Sequence, residues 1–290
     1  MKPVIQRALE QLNDPGPIKV MQSVSGGDIN EAFYVRTSHH EYFIKANTNV
    51  PSHFFTVEAL GLERIDQTNT INVPKVYHYN EPDEGETGVL IMEWIEEDRQ
   101  AHSAEKFGQN LAKMHLHPAE QFGLDQPTFI GRLTQDNSWS ESWLDYYREN
   151  RLQPQLQLAI ESSTLPHKRR DKLERLISRL DRWIPHHPSP SLLHGDLWAG
   201  NYMIGQKGIP YLIDPSIVYG DHAFELAFTE LFGGFPSTFY AAYQEMMPLP
   251  FEYEDMKPLY QLYYLLVHLN MFGESYGPPV DRILTRYTGG

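Results

Sequence analysis

The chain has 290 residues, a formal net charge of −14, 41% hydrophobic and 12% aromatic residues, and no cysteine. Lacking cysteine, it cannot use disulfides, a thiol nucleophile or a Cys-based metal site, and its acidic balance argues against nucleic acid or an anionic membrane as partner, since both need basic patches. Its length and apolar content suit a folded protein of two lobes or domains.

The first residues, 1–7, turn polar too soon for a signal peptide. No apolar run approaches the length of a membrane span, so the cytoplasm is the default expectation. Val4, Ile5, Ala8, Leu9 and Leu12 recur at helical spacing and predict a first helix, ended by Asp14-Pro15-Gly16. Residues 18–24 and 32–36 read as strands around the loop Ser25-Gly26-Gly27-Asp28-Ile29-Asn30. The glycine pair either turns a plain β-hairpin or lets backbone N–H groups approach nucleotide phosphates, with Gly26, Gly27 and Asp28 as the candidates. The P-loop pattern Gly-x₄-Gly-Lys-Ser/Thr is absent.

Residues 41–46 alternate as a third strand carrying Lys45 in an apolar setting, where a lysine is costly unless paired. Kinases place a lysine there against the α- and β-phosphates of ATP and pair it with a helical glutamate. The helix expected at about residues 52–67 offers Glu58 and Glu63. Glu58, among Phe55, Val57, Ala59 and Leu62, is the expected partner. After an acidic turn at residues 81–88, an apolar strand leads into Ile95-Glu96-Glu97-Asp98, read as a hinge between lobes. Backbone groups of Glu93, Trp94 and Ile95 are the expected adenine contacts.

Ser103 is the expected N-cap of a helix to about residue 117, with Phe107, Leu111, Ala112 and Met114 on its apolar face. His115 and His117 look like a metal pair, but positions two apart on a helix point away from each other, so both are read as structural. Residues 139–160 and 168–184 predict two more helices, and residues 259–271 an aromatic helix closing the larger lobe.

Residues 192–201, Leu-Leu-His-Gly-Asp-Leu-Trp-Ala-Gly-Asn, run from an apolar strand through a polar turn. A second apolar strand, 211–213, ends on Asp214. Asp196 and Asn201 lie five positions apart with His194 two before the Asp. That is the spacing of the kinase catalytic loop, with Gly195 where its arginine stands. Phosphoryl transfer is mostly positioning and charge neutralisation. One carboxylate must meet the attacking hydroxyl, a part assigned to Asp196. Oxygen ligands must hold Mg²⁺ against ATP, a part assigned to Asn201 and Asp214. Singly, each of these is an ordinary turn residue or cap; the joint pattern carries the signal.

His194-Gly195-Asp196-Leu197-Trp198-x-Gly200-Asn201 resembles the fructosamine kinase (ketosamine-3-kinase) family, a branch of the aminoglycoside-phosphotransferase-like kinases. Trp198 and Gly200 point to this branch. Residues 214–227 (Asp-Pro-Ser-Ile-Val-Tyr-Gly-Asp-His-Ala-Phe-Glu-Leu-Ala) and the Leu-Phe-Gly-Gly-Phe of 231–235 are similar to the family's continuation, and 123–132 to a loop near its cleft. The resemblance covers essentially the whole chain. It implies an α+β, bilobal protein-kinase-like fold: an antiparallel-sheet lobe at about 1–97 and a mainly helical lobe at about 98–290, with ATP and Mg²⁺ between them.

The implied reaction is ATP-dependent phosphorylation of the 3-hydroxyl of a fructosamine or related ketoamine, small or protein-linked, which destabilises the adduct and releases the amine. Glu225 matches the acid that anchors the catalytic loop in related kinases, and His194 supports the same loop. Trp198 is either a platform for the sugar or packing beneath the loop. Asp221 either attracts the substrate amine or braces the loop. The rival readings are another small-molecule kinase of the superfamily (aminoglycoside, choline or homoserine type) and a non-catalytic pseudokinase. Against the latter, Lys45, Asp196, Asn201 and Asp214 are all present.

Overall fold

The computed structural model describes residues 1–24, 29–98, 103–163 and 165–289. The first helix, α1 (Lys2–Gln11), has Pro3 in its opening turn, where the missing N–H is not needed. Five antiparallel strands follow: β1 (Val20–Ser23), β2 (Glu31–Arg36), β3 (Glu41–Asn47), β4 (Val76–Tyr79) and β5 (Gly88–Glu93), in the spatial order β1-β2-β3-β5-β4. Alternation along β3 decides the two faces. Tyr42, Ile44 and Ala46 enter a core with Ile5 and Leu9 of α1. The opposite face carries Lys45 toward α2 (Phe54–Asp66), which buries Phe55, Ala59 and Leu62. Lys45 stands opposite Ala32 and Leu90, and a one-residue slip would turn it into the α1 core.

The larger part contains α3 (Ser103–His115), the hairpin β6 (Thr128–Ile130) and β7 (Leu133–Gln135), then α4 (Trp143–Tyr146), α5 (Gln153–Glu161) and α6 (His167–Ile177). Strand β8 (Ser191–Leu193) pairs with β11 (Val218–Gly220), and β9 (Tyr202–Gly205) with β10 (Ile209–Leu212). The helices α7 (His222–Thr229), α8 (Ser237–Met246), α9 (Tyr253–Phe272) and α10 (Gly277–Thr288) complete it. The mixture of a small antiparallel sheet and a larger helical body is the α+β architecture expected from the sequence.

Two details differ from the sequence-based expectations. Residues 139–160 are not one regular helix: the helix starts at Trp143 under a Ser142 cap, and Tyr147–Leu152 widen into a π-helical turn. Helix α9 does not close the lobe but runs through its middle, with Tyr260, Tyr263, Tyr264 and Leu266 buried on different sides and α10 packed beyond it. A helix apolar all round has to be surrounded.

The segment after β5 is pinned to the larger part. Asp98 N–H donates to Ile204 O at 2.7 Å, and Glu97 bridges Gly205. Helix α2 also meets the larger part at Gly61, where an added Cβ would lie 3.2 Å from Pro215 Cγ. The sheet and the helical body therefore share a core, which runs from Phe55 and Leu62 to Tyr264. Among the described residues no helix is long and apolar enough to cross a membrane.

Candidate active site

Strand β8 delivers Leu192 and Leu193 to the core and then releases His194, Gly195 and Asp196 at its end. Gly195 has φ +83°, and a Cβ there would sit 1.9 Å from the carbonyl oxygen of Ser216. This accounts for the glycine where a kinase loop carries arginine: the backbone after Asp214 passes too close for any side chain. Ser216 N–H donates to His194 O at 2.8 Å and ties the two segments together.

His194 holds the loop from inside. Its Nδ1 accepts from Asp196 N–H at 3.2 Å and its Nε2 donates to Ile213 O at 2.8 Å, which makes the ring neutral; burial also lowers its pKa. Asn201 Nδ2 donates to Asp196 O at 2.8 Å and to Asp196 Oδ2 at 3.1 Å. Burial and then the neighbouring Asp214 push the Asp196 carboxyl well above the usual range, despite the Asn201 bond. Asp214 itself adopts φ +56°, an uncommon conformation for a residue with a Cβ.

Lys45 reaches this group from β3. Its ammonium donates to Glu58 Oε1 at 2.7 Å and also to Asp214 Oδ1. Burial opposes the charge on Lys45, but the Asp214 and Glu58 carboxylates outweigh it and hold the pKa above that of an ordinary lysine. Burial pushes Glu58 upward against the pull of Lys45. Glu58 rather than Glu63 thus faces the lysine, because Glu58 sits beside the buried stripe of α2.

Lys45, Glu58, Asp196, Asn201 and Asp214 line one cleft of about 690 Å³. Its other wall is apolar and aromatic, including Phe129, Phe228, Phe232 and Tyr276, with Trp198 beside the loop that carries Asp196 and Asn201. Trp198 is 39% exposed, and its indole lies on Gly200, where a Cβ would come within 2.4 Å of Cζ2. Trp198 therefore packs on the loop through one region and faces the cleft with another.

The fructosamine kinase family model matches residues 1–288. The chain belongs to the fructosamine kinase family. A protein of Enterococcus faecium named a probable ketoamine kinase is 39% identical over 284 residues, covering 98% of this chain and 99% of its own. A crystal structure from Haemophilus somnus with a provisional fructosamine-3-kinase name superposes with a TM-score of 0.87 at 29% identity, covering 98% of this chain and 96% of the other. The aminoglycoside phosphotransferase APH(4)-Ia shares the bilobal kinase-like fold, with a TM-score of 0.66 at 16% identity over 99% of each chain.

Gly26, Gly27 and Asp28 fall outside the described residues. The flanking Ile29 and Asn30 do line the cleft, and Asn47 Nδ2 donates to Ile29 O and Asn30 Oδ1. Glu93 ends β5 with its carboxylate on Lys75 N–H, Trp94 packs on Tyr34 with centroids 4.6 Å apart, and Ile95 is buried. None of these three is among the cleft-lining residues.

Asp221 does not line the cleft, and of its two expected roles the contacts support the bracing one. It is 2% exposed, caps α7 through Ala223 N–H at 3.0 Å and accepts from Tyr260 OH at 2.6 Å. Its carboxylate is occupied before any substrate arrives. Asp221→Ala is expected to cost about 1–2 kcal/mol of stability and to leave the KM for the acceptor unchanged. A raised acceptor KM at unchanged melting temperature would restore a substrate role.

Glu225 takes the anchoring position. Oε1 accepts from Gly195 N–H at 2.6 Å and Oε2 from His194 N–H at 3.1 Å. Several supports escaped the sequence reading. Tyr264 OH donates to Gly195 O at 2.9 Å from the middle of α9. Tyr263 OH donates to Gln135 Oε1, and Gln135 in turn donates to Ser216 Oγ. His115 contacts Glu225. Nothing in the local pattern distinguishes these side chains from ordinary core aromatics or a buried histidine.

Proposed function

We propose that this chain is a cytoplasmic, ATP-dependent ketoamine kinase that phosphorylates the 3-hydroxyl of a fructosamine or ribulosamine adduct, free or protein-linked, and so initiates release of the amine. The observation that carries the reading is the convergence of Lys45, Glu58, Asp196, Asn201 and Asp214 on one cleft in a chain of this family. In this reading the substrate oxygen attacks the γ-phosphorus, the bond to the departing ADP oxygen breaks, and the hydroxyl proton passes to the Asp196 carboxylate. Lys45, steadied by Glu58, holds the nucleotide phosphates. Adenine lies toward Glu93, Trp94 and Ile95, and the Gly26-Gly27-Asp28 loop covers the phosphates.

The donor set fits Mg²⁺. Asp214 and Asn201 offer a carboxylate and an amide oxygen at the cleft, and Glu58 and Asp214 both contact Lys45. Among the described residues no group of three or more His, Asp or Glu could hold a metal by itself, which suits an ion that takes much of its coordination from phosphates and water. When bound, the ion would neutralise phosphate charge.

Trp198 supplies the sugar platform in this reading. Trp198→Ala should raise KM for the ketoamine by about tenfold, the equivalent of roughly 1.4 kcal/mol, with KM for ATP unchanged. Gly200→Ala, which displaces the indole rather than removing it, should move the same parameter in the same direction. Equal changes in both KM values would assign Trp198 to packing.

The decisive experiment is ADP release from Mg-ATP with and without a small synthetic fructosamine, for the parent and Asp196→Ala. Fructosamine-dependent turnover that disappears in the variant supports the reading. Turnover with an aminoglycoside or choline instead moves the chain to another branch of the superfamily, and no Mg-ATP binding at all favours a scaffold.

A further inference from the structure

The last residue of α3, His115, lies behind the catalytic loop and away from the cleft. Its side chain and that of Glu225 have no exposed surface. His115 Nε2 is 2.7 Å from Glu225 Oε2, and Nδ1 is 2.7 Å from the hydroxyl of Tyr243. That hydroxyl is in turn 3.0 Å from His222 Nδ1. A chain of polar contacts thus runs from α7 through α8 and α3 back to α7, and from Glu225 to the backbone of His194 and Gly195.

Glu225 meets three donors: the backbone N–H groups of His194 and Gly195 and, from a side chain, His115 Nε2. A buried carboxylate depends on such donors. The imidazole is fixed on its other side as well, because the Tyr243 hydroxyl at Nδ1 also reaches His222 Nδ1 and Met247 Sδ. His115 therefore cannot swing off Glu225 without breaking buried contacts on both flanks.

We propose that His115 is a positioning residue for phosphoryl transfer: its Nε2 holds the Glu225 carboxylate as a clamp on the His194 and Gly195 backbone, and through that clamp it holds Asp196 in place. The proposal rests on the kinase reading above.

Two variants test it. In His115→Leu, kcat should fall by about 100-fold, the scale expected when a reacting group is displaced by on the order of 1 Å, while both KM values and Mg-ATP binding stay at parental values. His115→Gln retains an N–H donor toward Glu225 and should recover most of the lost kcat.

Parental kcat in His115→Leu overturns the proposal. So does a kcat loss matched by rises in both KM values, which would mark a general folding role, and so does a His115→Gln variant as slow as His115→Leu. If His115→Leu does not fold, His115→Asn, whose shorter amide falls short of Glu225, takes its place with the same outcomes. If the parent shows no ketoamine turnover while Mg-ATP still binds, the kinase reading is what fails and the proposal falls with it.

Discussion

Asp196→Ala is expected to lower kcat for ketoamine phosphorylation by about 10²–10⁴-fold, the range for loss of a positioned proton acceptor. Mg-ATP binding should survive. The Asp196 carboxylate contacts Asn201, not Lys45, and the Lys45–Glu58–Asp214 group stays intact without it. Removing it also removes a negative charge near Asp214, so the remaining site loses repulsion rather than support. Asp196→Asn preserves shape and the Asn201 neighbourhood but cannot take a proton at the same position. It should be nearly as slow as the alanine variant. Calorimetric Mg-ATP titration beside the ADP-release assay separates the two effects. Near-parental kcat in Asp196→Asn would falsify the proton-acceptor role.

Gly195→Ala should be the most damaging single methyl addition near the site. The left-handed backbone alone costs a residue with a Cβ about 1–3 kcal/mol, and the added carbon meets the Ser216 carbonyl at 1.9 Å. Backbone cannot swing aside as a side chain can. Ser216 is held by its N–H on His194 O, by Gln135 on its hydroxyl, and by the buried Ile217 that follows. The strain must therefore pass into the catalytic loop, displacing Asp196 on one side or Asp214 on the other. A melting temperature lower by several degrees and a kcat loss of about 100-fold are expected together. Gly200 makes the contrast, since its added methyl meets the end of an indole that is partly exposed and free to tilt. If Gly195→Ala melts like the parent and turns over normally, the close approach does not constrain the loop.

How much of this was legible beforehand follows from what local pattern can encode. Period-2 alternation in β3 states that Lys45 and Ile44 face opposite ways. The apolar stripe of α2 states that Glu58 lies next to the buried side. Strand-then-turn chemistry with a five-residue Asp–Asn spacing states that Asp196 and Asn201 share one loop, and the structure has them hydrogen-bonded. These are relations between near neighbours, and the backbone geometry of strand, helix and turn enforces them directly.

Composition excluded thiol chemistry, the spacings paired Lys45 with Glu58 and Asp196 with Asn201, and the family resemblance supplied the α+β kinase-like fold. Tertiary structure decided everything that depends on what a face meets. Lys45 joins Asp214 from 169 positions away, and His115 joins Glu225 from 110. Asp221, an acid in a family motif, turned out to spend its carboxylate on Ala223 and Tyr260, because the start of α7 is buried and a helix N-terminus needs its N–H groups satisfied. Helix α9, apolar on every side, carries no periodic signal of which residues support the loop; packing alone sets Tyr264 under Gly195. A sequence specifies which side of an element is apolar or charged through local geometry, but the partner of that side comes from the global packing, where chain separation no longer matters.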